Sequence, residues 1–219
     1  MDTSFEVDQL TKAIPRSQHC QRNFDLSQEI PEEHLKLLET AITQCPSKQN
    51  VAHYKVHMIT NREIIEQIVA ATPVSKVDKP EEITTNSQLM ANLVVVFESY
   101  FDMTKEEDKF RNDETTNLYA NKIEDQRMYN VLERDANVAV GIAAGYLNLT
   151  SSILGYRTGC CQCMDEPRIG EILNLKGRPL LAMGIGFNNE SMPRRIHALD
   201  SSYVFPTRAK QDIPVNYIR

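Results

Sequence analysis

The amino-acid sequence predicts one domain of mixed fold, α+β or α/β, over its 219 residues. Three segments of strand character, residues 54–59, 93–97 and 180–185, are separated by stretches of helical periodicity. A composition that is 41% apolar is enough for a sizeable core, and no internal repeat interrupts it.

In chain order, residues 2–14 carry Phe5, Leu10 and Ala13 at helical spacing, and Pro15 is expected to end that helix. A loop or extended stretch follows over 16–24. Pro31 stands where a first helical position belongs, with Glu32 and Glu33 behind it and Leu35, Leu38 and Ile42 on one face, so a helix runs to about Cys45-Pro46. Residues 54–59 alternate, with Tyr54, Val56 and Met58 on one side and Lys55 and His57 on the other. Asn61 caps a helix to about Ala71. Residues 73–85, rich in proline, charge and threonine, read as a mobile excursion. The run Leu93-Val94-Val95-Val96-Phe97 has the character of a strand covered on both faces.

Lys, Glu and Asp dominate residues 102–117, which are expected to form a solvated insertion or lid. The longest helical pattern spans 128–154. Its middle is small, with Ala136, Ala139, Gly141, Ala143, Ala144 and Gly145, a surface that lets a second backbone approach closely. Gly155 stops it, Pro167 opens a short helix to Leu173, and residues 180–185 form a last strand. The extension over 201–219 has no strong period and either frays or wraps a neighbouring subunit.

The formal charge of −6 provides no broad basic field for nucleic acid. No apolar run reaches the roughly 20 residues of a membrane span, and the first residues lack the parts of a signal peptide, so a cytoplasmic protein is expected. Five cysteines, three of them crowded at 160, 161 and 163, suit reduced thiols better than a disulfide framework. There is no complete zinc pattern, no phosphate-cradling P-loop, and no dinucleotide fingerprint, since Gly184-Ile185-Gly186 lacks the third glycine. A cysteine nucleophile would need His19 or His53 to approach Cys160 or Cys161 in three dimensions.

What remains is a set of short polar clusters at element boundaries. Gln18-His19-Cys20-Gln21-Arg22-Asn23-Phe24 offers imidazole and guanidinium donors suited to a phosphate. Pro46-Ser47-Lys48-Gln49-Asn50 is a donor-rich turn between a helix and a strand. Asn86-Ser87-Gln88 precedes the apolar strand, Leu154-Gly155-Tyr156-Arg157-Thr158 ends the long helix, and Pro193-Arg194-Arg195 follows the last strand. In this order and spacing, from about Arg16 to Arg195, the chain resembles the nitroreductase family.

The resemblance implies an α+β fold with a central, mainly antiparallel sheet flanked by helices, in a homodimer whose C-terminal tails are swapped. It implies FMN as cofactor and NADH or NADPH as electron donor, with small planar acceptors such as nitroaromatics or quinones reduced by a ping-pong mechanism. Gln18, His19, Cys20 and Arg22, with Arg194 and Arg195, are implied at the phosphate. Pro46, Ser47 and Asn50 are implied to line the flavin of the other subunit, and Asn86 and Gln88 to reach its ring edge or ribityl chain. Cys161, Gln162 and Cys163 occupy the stretch implied to face the reactive flavin nitrogen with backbone N–H groups. The chemistry would then rest with the flavin, with no side chain required as acid or base. The chain departs from the family where Gln18-His19-Cys20 replaces Arg-Arg/His-Ser, and Arg16 is the expected substitute cation. The alternative on the same fold is a catalytically silent or specialised flavin-binding homodimer, with a regulatory, biosynthetic or dehalogenating role.

Overall fold

The computed structural model describes residues 4–99, 126–207 and 209–218. The expected charged insertion at 102–117 lies outside the described residues.

The first helix, α1 (Ser4–Ser17), is not ended by Pro15 but continues two residues past it. The chain then enters the short strand β1 (Phe24–Asp25) and the helix α2 (Glu32–Thr43), which begins one residue after Pro31 and buries Leu38 and Ile42. A 3₁₀ turn at Lys48–Asn50 leads to β2 (Tyr54–Ile59). Asn61 caps α3 (Arg62–Ala70), its side-chain oxygen accepting the Ile64 N–H at 3.1 Å.

Residues 73–85 are not a structureless excursion. They form the hairpin β3 (Pro73–Ser75) and β4 (Ile83–Thr85), closed because Lys76 bridges Glu82 and Asp200 at 3.0 Å each. A 3₁₀ turn at Ser87–Leu89 precedes β5 (Leu93–Ser99). The long helix α4 (Gln126–Ile153) is followed by β6 (Arg157–Cys161), α5 (Glu166–Leu173) and β7 (Pro179–Asn188). The strand expected at 180–185 is therefore longer than its apolar run, and it is not the last. A small hairpin, β8 (Ile196–His197) and β9 (Asp200–Val204), turns part of the expected tail into structure.

The main sheet is antiparallel throughout, in the order β1-β7-β5-β2 with β6 also on β7. Strand β5 is its centre, and its alternation assigns each residue to one of two cores. Leu93, Val95 and Phe97 join Leu38, Ile42, Val140, Ala143 and Leu147 under α2 and α4. Val94 and Val96 join Ile65, Ile68, Val69 and Ile169 under α3 and α5. Helices thus cover both faces, which is why this strand has no polar side until Glu98. Tyr54, Val56 and Met58 of β2 point into the first core, while Lys55 and His57 reach Glu98.

Helix α4 buries Ala136, Ala139, Ala143 and Leu147, but its glycines serve no packing inside one chain. Among the described residues a Cβ at Gly141 or Gly145 would meet nothing within 4 Å, and neighbouring Val138 is 56% exposed. No helix among the described residues is long and apolar enough to cross a membrane.

Candidate functional site

The site is built along the outer edge of β6. Cys20 forms a parallel bridge with Thr158, and the Gln21 N–H donates to the Thr158 carbonyl at 2.8 Å, so the first cluster is laid against the strand as an added ladder rung. Gly159 permits this contact: a Cβ there would stand 2.9 Å from the Gln21 carbonyl and 3.1 Å from Cys20 Sγ. Gly184, behind it on β7, has the same role for the Ser87–Leu89 turn, because a Cβ would overlap the Gln88 carbonyl oxygen.

Across that edge a polar network joins four of the clusters. Arg22 Nη1 donates to Gln88 Oε1. Gln88 Nε2 donates to the Cys160 carbonyl at 3.2 Å, and Asn86 Nδ2 to the Cys163 carbonyl at 3.2 Å. The Arg22 N–H donates to the Arg194 carbonyl, and Arg194 Nη1 reaches back to the Cys20 carbonyl at 3.1 Å. Asn86 and Gln88 are buried, whereas Gln162 and Cys163 are exposed and their main-chain N–H groups have no acceptor among the described residues.

Gln18, His19, Cys20 and Arg22 line a cavity of about 180 Å³ together with Arg194 and Arg195. Its other wall is Phe205, Pro206 and Thr207. An adjoining cavity of about 380 Å³ shares Arg22 and Phe205 and adds Asn86, Val74, Val77 and Tyr203. In a chain of net negative charge, this edge is cationic: among the described residues Arg16, Arg22, Arg157, Arg194 and Arg195 have no carboxylate partner, although Arg134 and Arg178 do. Burial, then the charges of Arg16 and Arg194, depress the Arg157 pKa. Mutually repelling guanidinium groups without counter-ions favour an anion between them.

Arg16 is not the substitute cation in this cavity. Its Nη1 donates to the Ser152 carbonyl at 3.1 Å, so it caps the C-terminal end of α4, and it lines a separate cavity with Asp8 and Lys12. Arg157 comes closer to that role. Strand alternation sets it on the face of Gly159, the face that Cys20 Sγ touches. Sequence reading treated Arg157 as a landmark only, and nothing local marks Phe205 or Thr207 as site residues.

Pro46, Ser47 and Asn50 are not brought to this edge. Ser47 and Asn50 line a different cavity, of about 620 Å³, with Glu39, Tyr54, Val56 and Met58. Between them Gln49 and Asn50 hold positive φ, and Lys48 anchors the turn to buried Asp135 at 2.5 Å.

The thiols form no nucleophilic dyad. Among the described residues neither His53 nor any other histidine is hydrogen-bonded to a thiol. Cys160 is exposed as a residue, but the protein crowded around its sulfur displaces water and pushes the thiol up to about 11; burial pushes Cys161 up to about 12 and likewise raises Cys20 against the opposing charges of Arg22 and Arg194. As neutral thiols they are poor nucleophiles. Iodoacetamide at pH 8 is therefore expected to modify Cys160 about a hundredfold more slowly than a thiol of ordinary pKa, the rate rising about tenfold per pH unit until the thiol ionises. Peptide mass spectrometry after timed alkylation reads this, and fast labelling of Cys160 at neutral pH would contradict it. Among the described residues no group of three or more metal-ligating side chains is arranged to hold an ion.

Together the fold and site define a class: an antiparallel sheet between two helical layers, with a cationic cleft at a sheet edge. The model of the nitroreductase family matches residues 16–187, and the chain belongs to that family. Solved structures share the fold at low identity. One is a candidate nitroreductase in complex with FMN from Exiguobacterium sibiricum, 17% identical, with 92% of this chain and 93% of that one covered and a TM-score of 0.58. A second is an enone reductase of a gut-bacterial fatty acid saturation metabolism, 16% identical over 83% and 89% of the chains with a TM-score of 0.59. A third is an FMN-dependent nitroreductase from Clostridium difficile, 16% identical over 78% and 84% with a TM-score of 0.52. Comparison with curated proteins finds no match.

Proposed function

We propose that this protein is a cytoplasmic, homodimeric FMN-dependent oxidoreductase that takes electrons from NADH or NADPH and reduces small planar acceptors such as nitroaromatics or quinones. The observation that carries the reading is the convergence of Arg22, Arg194 and Arg195 on one small cavity, with Arg22 bonded on through Gln88 to the Cys160 carbonyl and Asn86 bonded to the Cys163 carbonyl. A cavity of this size and charge suits a phosphate ester, and the amide-rich cleft beside it suits the edge of a polar ring system. FMN, when bound, supplies the two-electron chemistry, with donor and acceptor taking turns in a ping-pong sequence.

The chain's own residues bind and orient. Arg22, Arg194 and Arg195 meet the phosphate, with Gln18, His19 and Cys20 at its rim. Asn86 holds the Cys163 carbonyl and Gln88 the Cys160 carbonyl, which fixes the backbone of residues 160–163 against the site. In the dimer, Pro46, Ser47 and Asn50 come from the second chain, which accounts for their distance from this edge. The exposed Val138, Gly141 and Gly145 face of α4 supports that assembly, since it has room for a partner's backbone. The solved structures that share the fold include an enone reductase and an FMN-dependent nitroreductase, in line with a reductive role for this chain.

Titration of the purified protein with FMN, followed by anaerobic NADH or NADPH, tests the reading. The expected result is a flavin absorbance band bleached by one or both donors, in a species of twice the chain mass by light scattering. Arg22→Ala should weaken FMN binding by about 1.5–3 kcal/mol, ten- to a hundredfold. A wild-type protein that acquires no flavin band on addition of FMN would sink the proposal.

A further inference from the structure

The guanidinium of Arg22 is held by Gln88 and by Phe205, a residue beyond the segment that matches the family. Its carbon lies 4.0 Å from the centre of the Phe205 ring, and its Nη1 is bonded to Gln88. Phe205 is only 8% exposed and is fixed at both backbone atoms, its N–H donating to the Arg195 carbonyl at 2.9 Å and its carbonyl accepting Arg195 Nε at 2.7 Å. Its ring stacks on His197, with centroids 5.8 Å apart and planes 13° from parallel, and meets Tyr203 at 4.9 Å. His197 is locked in turn. Its Nδ1 accepts the Leu199 N–H at 3.0 Å, which leaves the Nε2 proton for the Thr85 carbonyl at 3.0 Å.

An aromatic ring on the face of a guanidinium consumes none of its in-plane N–H donors. Gln88 takes one, and the others remain for an anion. A long arginine stem that is already ordered also loses less side-chain entropy on gripping its ligand. Phe205, Pro206 and Thr207 further wall the cavity itself, and Thr207 brings a hydroxyl to a pocket in which Cys20 stands where the family usually has serine.

The geometry points to Phe205 as a positioning residue that aims Arg22 at a phosphate group, so that the segment 203–207 sets the preference of this pocket for phosphorylated over unphosphorylated ligands. The identity of the ligand as FMN rests on the proposed function, whereas the anion pocket does not.

The test uses the full-length protein with Phe205→Leu, which keeps apolar bulk but removes the ring, and Phe205→Tyr, which keeps the ring. FMN and riboflavin are titrated separately, and thermal melting is followed with inorganic phosphate against chloride at constant ionic strength. The expected result is that Phe205→Leu weakens FMN binding about tenfold while riboflavin changes less than about twofold, and that Phe205→Tyr behaves as wild type. Phosphate should raise the melting temperature of wild type and Phe205→Tyr but not of Phe205→Leu. Equal losses for FMN and riboflavin, or an unchanged FMN affinity with phosphate stabilisation intact in Phe205→Leu, would overturn the inference. Phosphate stabilisation that depends on the ring, in a protein that takes up no FMN, would uphold it while defeating the flavin assignment; a wild type that responds to neither ligand would defeat both.

Discussion

Replacing Glu98 by alanine is expected to lower stability by about 3–5 kcal/mol, the range for breaking a buried ionic network by removing one partner. Glu98 is 2% exposed at the end of β5 and accepts four contacts. The Lys176 and Gly177 N–H groups donate to Oε1 at 2.7 and 2.6 Å, His57 Nε2 lies 2.7 Å from Oε2, and Lys55 stands 3.7 Å away. Without the carboxylate the Lys176 and Gly177 N–H groups between α5 and β7 lose this acceptor.

The same residue carries a pH dependence. Burial raises its pKa, but the hydrogen bonds from His57, Gly177 and Lys176 and the charge of Lys55 outweigh burial and depress it below the ordinary glutamate value. A depressed carboxylate stabilises the fold above its unfolded pKa, about 4.3, and that contribution disappears as pH falls through the lower folded value. Urea titrations of wild type and Glu98→Gln are expected to differ most near neutrality and to converge in acid. Parallel curves from about pH 7 to pH 3 would show that Glu98 does not contribute in this way.

Phe97→Ala should cost a comparable 3–5 kcal/mol, here through lost burial and a cavity rather than charge. Phe97 is fully buried between α2, α4 and the sheet and meets Tyr54 edge to face at 5.5 Å. Because it lies at the far end of β5 from the arginine-lined cleft, its loss should shift the urea midpoint without changing the FMN affinity of the folded fraction. A loss under about 1 kcal/mol would mean that the core closes over the gap.

Much of the secondary structure was legible from local chemistry. Asn61 before an apolar-periodic run, Pro31 with two acidic residues behind it, and five consecutive apolar residues at 93–97 each depend on neighbours within a turn or a strand. The helices and the central strand formed accordingly. The polar hairpin at 73–85 and the strand β6 were not legible. Residues 157–161 have a glycine at their centre and no alternation, and they become a strand only because β7 offers one edge and Cys20 bonds the other. The hairpin closes through Asp200, more than a hundred residues away.

The candidate site divides in the same way. Sequence order alone was enough to gather Gln18, His19, Cys20, Arg22, Asn86, Gln88, Cys161, Gln162, Cys163, Arg194 and Arg195 as one family pattern, whereas Ser47 and Asn50, expected with Pro46 at the flavin of another subunit, line a separate cavity. The directions of the arginines were decided by tertiary structure. Arg22 meets Gln88 across 66 positions, Arg194 meets Cys20 across 174, and Arg16 turns away to cap α4. A guanidinium on a flexible stem has no preferred direction of its own, so where it points depends on which acceptors and rings the fold places within its reach.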